Sequence, residues 1–541
     1  MLYRYLANFL KPVSVSGSSR QMPSVSEHSL PEALYSADSV RAMDRYLIEQ
    51  QGVDGFELMQ TAARSAFRHL VAFWPGAQPV LVLCGAGNNG GDGYLVAANA
   101  KRHGIDVACV AVAPTEKLTG DARSACQKAR ADGVEILEGS ALSDADLQAR
   151  MDSAAVVVDA MLGTGVTGAP REPFANVIGQ LNQSGKPVLA VDLPSGLDAT
   201  TGAATGDVVH ADVTVTFIGA KTGLFTGAGA GVCGQVMFEA LGAINAGQQS
   251  GEMPLAELYP WARCQSWLPE RPANAHKGMF GHVLVVAGDH GFGGAGIMAA
   301  EAASRAGAGL VSLATRPEYV TAALARCPSL MVRGVTHGSE LPALLEKPDV
   351  VVCGPGIGQS SWGQQMLQQV IASGKPRVLD ADALNIMADR APAPADNHVL
   401  TPHPGEAARL LGCSVQEVEA DRMGAAARIQ KLWHGIVLLK GAGTVVATGS
   451  GVPGIIPGGN PGMATGGMGD VLSGILGAFL GQIPSARQAV MASAALHLAA
   501  ADEAGQNKGY MGLLPADVIE AVPQVLVRSE RPECFSDRGN R

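Results

Sequence analysis

The chain has 541 residues, of which 47% are hydrophobic, enough for two to four domains with sizeable cores. Its formal net charge is −10 and only 16% of its residues are charged, so binding to the phosphate backbone of nucleic acids is not expected. Nine cysteines are scattered without a Cys-x-x-Cys pair, which favours free thiols in a cytoplasmic protein over a zinc site or a disulfide framework. No apolar run reaches the roughly 18 residues that a membrane span needs.

Residues 1–33 are predicted to be a disordered N-terminal extension. The first part of this segment carries Arg4, Lys11 and Arg20 and no acid before Met22, a pattern that also fits a transit peptide. The disordered extension is favoured, because the segment lacks a long apolar core and a clear cleavage site.

From Ser36 onward, apolar strands alternate with helix-length segments. Two helices come first, and the residues Ser36 and Asp38 are candidate caps of the first one. The predicted strands of this half are 79–84, 107–112, 156–158, 188–191 and 213–218. This alternation predicts a Rossmann-like, three-layer α/β domain with a parallel sheet.

A stretch rich in Gly, Gln, Ser and Pro between Asn245 and Pro254 marks a boundary between two domains. The chain is therefore divided into a domain at 34–245, a linker at 246–258, a second α/β domain at 259–530 and a tail at 531–541. Buried strands of the second domain are predicted at 282–287, 350–353, 377–379 and 436–439, and a long apolar helix follows Asp470.

Gly85, Gly87 and Gly90 form a Gly-x-Gly-x-x-Gly pattern between a strand and a helix, which predicts a phosphate cradle. An ordinary dinucleotide pose also needs an acid near the end of the next strand, to hold the ribose. Here Asp106 opens that strand instead, so the loop is predicted to bind phosphate in another pose.

Polar residues follow the ends of three predicted strands. Asn88, Asn89 and Asp92 lie after the first, Asp159 and a glycine loop after the third, and Asp192 after the fourth. Each of them alone could be a turn former. Because ligands of open α/β sheets bind outside the carboxyl ends of the strands, their convergence favours one ligand site.

The motifs NNGGDG, DAMLGTG and VDLPSGLDATTG resemble those of the epimerase domain of NAD(P)H-hydrate repair enzymes, over about Leu34 to Ala243. The resemblance implies a hydrated dinucleotide, NADHX or NADPHX, as substrate and a potassium ion as cofactor. The implied substrate-binding residues are Asn88, Asn89, Gly90, Gly91, Asp92, Gly163, Thr164, Gly165, Val166, Thr167, Gly168, Ala169 and Asp192, and the implied potassium ligands are Asn89, Asp159 and Ser195. Oxygens from an amide, a carboxylate and a hydroxyl suit a hard cation.

Epimerisation at ring carbon 6 needs one proton shuttle, whether water is lost and regained or the ring opens and recloses. Asp192 is the predicted shuttle. Lys221 is a second candidate, although an ordinary surface lysine fits its sequence context equally well.

In the second domain, Gly466, Gly467 and Gly469 precede the apolar helix that begins at Asp470. Backbone amides of this turn, together with the helix N-terminus, predict an anion hole. Asp470 is either a helix cap or a base that takes the proton of a hydroxyl attacking phosphorus. Motifs of P-loop NTPases, zinc-dependent proteases and α/β-hydrolases are missing from the sequence.

The motifs DADALN, TPHPGE and KGAGT resemble the ribokinase-like fold, but sugar and vitamin kinases of this fold usually carry Asn where His403 stands before Glu406. Together with CGPGIG and GNPGMATGGMGD, they resemble the nucleotide-dependent NAD(P)H-hydrate dehydratases, over about Ala275 to Ala521. The resemblance implies ADP as co-substrate with Mg²⁺ on its phosphates. It places Ala295, Gly358, His403 and Asp470 at the hydrated dinucleotide, and Lys440, Gly441, Ala442, Gly443, Thr444 and Gly469 at the nucleotide.

The two resemblances predict a bifunctional isomerase and lyase, since both halves act on the same damaged coenzyme. The first domain is expected to interconvert the R and S hydrates, and the second to dehydrate the S form by phosphorylation and elimination. A homo-oligomer without nucleic-acid or membrane partners is expected. One alternative is a small-molecule kinase with a nucleotide-binding regulatory domain, and another is a scaffold that binds a nucleotide or a partner protein without turnover.

Overall fold

The computed structural model describes residues 30–165 and 168–530. The tail at 531–541, most of the predicted extension and the predicted substrate contacts Val166 and Thr167 lie outside the described residues. Within the described ranges, none of the helices combines the length and the apolar character that crossing a membrane requires.

The described residues form strands and α-helices that alternate along most of the chain. The strands are β1 (Ala33–Tyr35), β2 (Val80–Cys84), β3 (Val107–Ala111), β4 (Glu135–Glu138), β5 (Val156–Ala160), β6 (Val188–Val191), β7 (Val213–Phe217), β8 (Ala220–Lys221), β9 (Gln235–Glu239), β10 (Ala256–Leu258), β11 (His282–Val286), β12 (Leu310–Thr315), β13 (Met331–Gly334), β14 (Val350–Cys353), β15 (Arg377–Leu379), β16 (His398–Leu400), β17 (Ile436–Leu439), β18 (Thr444–Thr448) and β19 (Gly454–Ile456). The helices are α1 (Ala37–Glu49), α2 (Gly55–Phe73), α3 (Asn88–Arg102), α4 (Gly120–Ala131), α5 (Asp144–Ser153), α6 (Phe174–Ser184), α7 (Gly229–Val232), α8 (Ala246–Ser250), α9 (Trp261–Cys264), α10 (Gly293–Arg305), α11 (Val320–Arg326), α12 (Pro342–Leu345), α13 (Ser361–Ala372), α14 (Asp382–Arg390), α15 (Pro404–Leu411), α16 (Val415–Ala420), α17 (Arg422–Trp433), α18 (Met468–Leu480), α19 (Ala486–Lys508) and α20 (Pro515–Glu530).

The N-terminal half contains a parallel sheet of seven strands in the order β4-β3-β2-β5-β6-β7-β9. Alternate residues of the central strand β2 face opposite layers: Val80 and Val82 pack with helices α2 to α4, whereas Leu81 and Leu83 pack with α5 and α6. The strand order reverses between β2 and β5, where open α/β sheets bind their ligands. The predicted Rossmann-like, three-layer arrangement is confirmed.

The C-terminal half is a second doubly wound α/β layer structure. Strands β11 to β17 are parallel, in the order β13-β12-β11-β14-β15-β16-β17, and β18 and β19 continue the sheet in antiparallel pairing. Val283 and Val285 of β11 pack with the layer of α10, α18, α19 and α20, while Leu284 and Val286 pack with the layer of α13 to α17. This architecture agrees with the predicted ribokinase-like α/β fold.

Three short strands join the two halves. Strand β10 pairs with β19 of the C-terminal half and with β1, and β1 in turn pairs with β8 of the N-terminal half. The segment 246–258, predicted as a linker, thus contains helix α8 and strand β10. The C-terminal sheet therefore extends to twelve strands and ends at Lys221, one of the candidate site residues.

Candidate functional site

The glycine pattern after β2 lets the loop pack closely against its neighbours. A Cβ atom at Gly85 would collide with the carbonyl oxygen of Met161, and one at Gly90 with the carbonyl oxygen of Gly85. Gly87 has open space around it and directly precedes helix α3. Two of the three glycines are therefore required by close packing, and the residues predicted as a polar loop form the first turn of α3 instead.

Two of the predicted potassium ligands, Asn89 and Ser195, bond to the backbone of Leu162, and the third, Asp159, bonds to Ser195. The Asn89 Nδ2 donates to the Leu162 carbonyl oxygen at 3.0 Å, and the Leu162 amide donates to the Ser195 Oγ at 2.8 Å. Ser195 also donates through its hydroxyl to Asp159 Oδ1 at 2.6 Å and through its amide to Asp159 Oδ2 at 2.7 Å. The structure thus brings an amide, a carboxylate and a hydroxyl together in the core.

One oxygen of this cluster has no partner. Asn89 Oδ1 is buried and accepts no hydrogen bond from the residues that the structure describes. Asp159 is fully buried, and burial raises its pKa to about 6 although the hydrogen bonds from Ser195 act to lower it. A buried acceptor without a donor, linked through Leu162 and Ser195 to a buried carboxylate, is an environment that a bound cation would satisfy.

The second predicted substrate loop lies directly against Asn89. A Cβ atom at Gly163 would approach the Asn89 Cβ to 3.1 Å, and the Thr164 carbonyl accepts a hydrogen bond from Arg41 of helix α1. Gly165, Gly168 and Ala169 are exposed. The first turn of α3 and this exposed loop therefore form one edge of the N-terminal crevice.

Asp192 and Lys221 form an ion pair at the end of β6. The Lys221 ammonium donates to Asp192 Oδ1, to Thr216 Oγ1 at 3.0 Å and to the Phe217 carbonyl at 3.2 Å. Lys221 is only 1% exposed, so the interpretation of Lys221 as a surface lysine is wrong. Asp192 has a φ of +69°, a left-handed conformation that is uncommon outside glycine.

Two further carboxylates interact with this pair. Burial raises the pKa of Asp44 on helix α1 to about 6, where Lys221 opposes the effect and Asp192 adds to it. Burial, followed by the charges of Asp192 and Asp44, also raises the pKa of Asp92. Lys221 thus contacts one carboxylate and acts on two further carboxyl groups through its charge. Sequence reasoning missed Asp44, because α1 shows only the pattern of an amphipathic packing helix.

In the C-terminal half, Asp470 is the third residue of helix α18. The helix begins after Gly467, which has a φ of +98°, and no side chain caps its N-terminus. The alternative interpretation of Asp470 as a cap is therefore wrong. The pKa of Asp470 is raised to about 7, chiefly by burial and next by the Asp380 carboxylate, while the charge of Lys440 opposes the rise.

Lys440 is held between two carboxylates close to Asp470. Its ammonium lies 2.7 Å from Asp380 Oδ1 and 3.7 Å from Glu406 Oε2. Burial by itself lowers the pKa of Lys440, but the two carboxylates outweigh this effect and raise it above its usual value. A Cβ atom at Gly469 would lie 3.4 Å from the Lys440 Nζ, so the first turn of α18 and the nucleotide-loop lysine are direct neighbours.

The predicted nucleotide loop, Gly441 to Thr444, connects β17 to β18. Buried Arg422 donates to the carbonyl oxygens of Lys440 at 2.9 Å and Leu439 at 3.4 Å, immediately before the loop. A cavity of about 850 Å³ lies beside the loop, and its walls include every residue from Lys440 to Thr444 as well as Gly469. Sequence reasoning missed Arg422, whose role depends on a contact between distant segments.

Of the predicted substrate residues of this half, His403 lines the cavity, whereas Gly358 and Ala295 lie in a separate loop region near Asp382 and Gly356. His403 is half-exposed, and its Nδ1 accepts a hydrogen bond from the Gly405 amide at 3.0 Å. Burial, followed by the charge of Lys440, lowers the pKa of His403. The Gly358 amide donates to Asp382 Oδ2 at 2.9 Å, and Ala295 lies next to Gly356 in the same loop.

Comparison with known proteins gives a match for each half. Residues 283–524 match the family model described as NAD(P)H-hydrate dehydratase, and residues 55–223 match the model described as YjeF-related protein N-terminus. An ADP/ATP-dependent NAD(P)H-hydrate dehydratase from Bacillus subtilis, co-crystallized with ATP/Mg²⁺, is 28% identical with a TM-score of 0.46, covering 50% of this chain and 98% of that chain.

Two curated relatives cover nearly the full chain. The bifunctional NAD(P)H-hydrate repair enzyme of Escherichia coli is 44% identical over 498 residues, which are 92% of this chain and 95% of that protein. The protein of the same name from Coxiella burnetii is 41% identical over 485 residues, 90% of this chain and 97% of that protein. The chain therefore belongs to the family of bifunctional NAD(P)H-hydrate repair enzymes.

Proposed function

We propose that this chain restores hydrated NADH and NADPH in two steps. Residues 34–245 interconvert the R and S hydrates, and residues 259–530, joined through 246–258, dehydrate the S hydrate at the expense of ADP. Family membership supports both activities. The observation that carries the proposal is Asp470, a largely buried carboxyl group with a pKa raised by burial to about 7, directly behind the glycine turn of α18.

In the N-terminal half, Asp192 takes and returns the proton that epimerisation at ring carbon 6 requires. The Lys221 ammonium holds the carboxylate in one orientation, which is consistent with their partly buried hydrogen bond. Asn89, Asp159 and Ser195 are the residues that would hold potassium. The cation would offset phosphate charge on the bound dinucleotide in an acidic protein.

In the C-terminal half, the ring hydroxyl must become a better leaving group. Asp470 takes the hydroxyl proton while the hydroxyl oxygen attacks the terminal phosphorus of ADP, and AMP leaves. Amides of Gly466 to Gly469 stabilise charge on the transferred group. The lone pair of the ring nitrogen then expels phosphate, and loss of a proton from the adjacent carbon restores the double bond. The sum is NADHX and ADP giving NADH, AMP and phosphate.

The nucleotide is assigned to the loop from Lys440 to Thr444, with Mg²⁺ on its phosphates, and the dinucleotide to Ala295, Gly358 and His403. Magnesium would neutralise phosphate charge during transfer. Lys440 supports this assignment, because its ammonium is kept charged by Asp380 and Glu406 next to Gly469.

The test combines purified protein with both NADHX epimers, K⁺, Mg²⁺ and ADP. Absorbance at the reduced-nicotinamide band is expected to recover, with one AMP and one phosphate formed per NADH. Without ADP, recovery stops while epimerisation continues. A small-molecule kinase would instead accumulate a phosphorylated product without releasing phosphate, and a scaffold would turn over neither substrate.

Variants then assign each activity to its half. Asp470→Asn is expected to abolish dehydration and keep epimerisation, whereas Asp192→Asn does the reverse. Asp349→Asn is the matched control for the C-terminal half, since the Asp349 carboxylate accepts a hydrogen bond from the His282 amide at the amino end of β11. The proposal fails if Asp470→Asn dehydrates as fast as this control.

A cytoplasmic location and a homo-oligomeric state are part of the proposal. The eight cysteines within the described residues are all free, which supports a reducing compartment. The subunit number stays a prediction, to be measured by size-exclusion chromatography with light scattering.

A further inference from the structure

The cavity beside the nucleotide loop has walls from both halves of the chain. The C-terminal half supplies the loop Lys440 to Thr444 and the start of α18. The N-terminal half supplies the segment that follows β8, including Leu224, Phe225, Gly229 and Val236. This N-terminal wall is rich in apolar side chains and in glycine, a surface that suits the flat face of a base.

One hydrogen bond connects this wall to the nucleotide loop. The Thr226 Oγ1 donates to the Gly443 carbonyl oxygen at 3.0 Å across 217 residues of sequence, and Thr226 is completely buried. The two backbones also touch, because a Cβ atom at Gly443 would collide with the Phe225 carbonyl oxygen. Gly443 has a φ of +61°, so both its conformation and its surroundings require glycine.

The short strands between the halves fix this contact. Thr444 begins β18, and the sheet continues from β18 through β19, β10 and β1 to β8. Thr226 follows β8 by five residues. The wall and the loop are thus held at a set separation by paired strands as well as by their direct contact.

The geometry points to a nucleotide site that is completed by the N-terminal half, with Thr226 as the positioning residue for the nucleotide loop. The ligand is an adenine nucleotide with its phosphates at Gly441 to Thr444 and its base toward the Leu224 and Phe225 wall, and this rests on the proposed function. A glycine-rich loop loses conformational freedom when it binds a ligand. By holding Gly443 before the ligand arrives, Thr226 reduces that cost.

The role of Thr226 is tested by measuring the binding of ADP in the presence of Mg²⁺ with isothermal titration calorimetry. Thr226→Val removes the donor and keeps the shape, so the Kd of ADP is expected to rise about three- to tenfold, the loss expected for one hydrogen bond. Thr226→Ser retains a hydroxyl and is expected to bind like the unmodified protein. Thr315→Val is the matched control, since the buried Thr315 hydroxyl donates to the Gly288 carbonyl at 3.1 Å, away from the cavity.

A second measurement needs no variant. Hydrogen exchange of the unmodified protein is expected to slow in residues 222–236 when ADP binds, in addition to the nucleotide loop. Protection confined to the C-terminal half, or a Kd for Thr226→Val equal to that of Thr315→Val, overturns the inference. If the unmodified protein binds no ADP at all, it is the proposed function that fails, so the two failures are distinguished.

Discussion

Lys221 and Asp192 are 29 residues apart in sequence, yet they form an ion pair at the end of β6 in which Lys221 is buried and Asp192 is partly buried. Lys221 also belongs to β8, the terminal strand of the twelve-stranded sheet, whereas Asp192 follows a strand of the seven-stranded sheet. The pair therefore lies where the two sheets meet. Removing one partner leaves the other charge uncompensated, which is costly in a buried position.

The first prediction concerns this pair. Asp192→Asn is expected to lower the epimerisation rate about 100-fold or more, the usual range for losing a general acid or base, while dehydration of the S hydrate continues. Lys221→Met is expected to lower epimerisation as well, because the Asp192 carboxylate loses its ammonium. The rate is measured by NMR, which follows the appearance of the second epimer when the enzyme is added to one pure epimer.

The control for these variants is Asp212→Asn. The Asp212 carboxylate accepts a hydrogen bond from the Val188 amide at 2.8 Å, at the amino end of β6, so it is a structural aspartate of the same sheet. Normal epimerisation by Asp192→Asn, with folding like that of this control, would remove Asp192 from the mechanism.

The second prediction concerns pH. Burial raises the pKa of Asp470 to about 7, and the group acts as a base only when it is deprotonated. The value of kcat/KM for dehydration is therefore expected to rise through a pH of about 7 and then to level off, since this ratio reports groups of the free enzyme. Initial rates of absorbance recovery between pH 5.5 and 8.5 provide the measurement. A flat profile in this range would contradict the assignment of Asp470 as base.

The raised pKa of Asp470 also predicts how stability depends on pH: activity is expected to rise with pH, whereas the contribution of Asp470 to stability is expected to fall. Because the folded state holds the Asp470 proton more tightly than the unfolded state, the stabilisation is present below the unfolded pKa and is lost as the pH rises toward 7. Asp470→Asn keeps a neutral group at every pH. Its Tm is therefore expected to exceed that of the unmodified protein at pH 8, with the difference shrinking near pH 4.

The third prediction concerns potassium. If K⁺ binds at Asn89, Asp159 and Ser195, replacing choline by K⁺ is expected to raise the Tm of the N-terminal half. Burial raises the pKa of Asp159 to about 6, so the shift is expected to fall as the pH drops through 6 and the carboxylate becomes neutral. The shift in Tm is measured by differential scanning calorimetry in the potassium and choline salts.

Two asparagine variants separate cation binding from packing. Asn89→Ala removes the unpartnered oxygen and is expected to abolish the response to K⁺. Asn99→Ala, on the same helix, is the control, because Asn99 Oδ1 already accepts a hydrogen bond from Arg102 at 2.8 Å. An unchanged K⁺ response in Asn89→Ala would argue against a cation at this position.

Much of the fold could be predicted because buried parallel strands leave a local signal. Strands such as β2 and β11 are continuous apolar runs with helix-length neighbours, and this pattern indicates buried strands of parallel sheets. Strands β1, β8 and β10 have only two or three residues each and pair across distant segments. No periodic pattern fits in so few residues, so the connection between the halves could not be predicted.

The candidate site divides in the same way. The positions of Asp159, Asp192 and Asp470 could be predicted, because each lies next to a strand end or a glycine turn. The burial of Lys221 could not, since it depends on how helix α1 packs over β8, where Val40 and Met43 contact Gly219. Asp44 enters the site through that same packing, which no local pattern records.

The fourth prediction concerns Arg422, which is 2% exposed and donates to the carbonyl oxygens of Leu439 and Lys440 just before the nucleotide loop. Arg422→Met leaves both carbonyls without this donor and removes a positive charge beneath a loop that is proposed to bind phosphates. The Kd of ADP is expected to rise about tenfold or more, since hydrogen bonds from charged groups are the stronger ones.

Arg377→Met is the control, because Arg377 is equally buried and donates to the Lys375 carbonyl at 3.2 Å at the amino end of β15. The ADP affinity of both variants is measured by calorimetric titration below their Tm. An equal loss of affinity in both would mean that any buried arginine is needed for folding. A loss confined to Arg422→Met means that this side chain shapes the nucleotide loop.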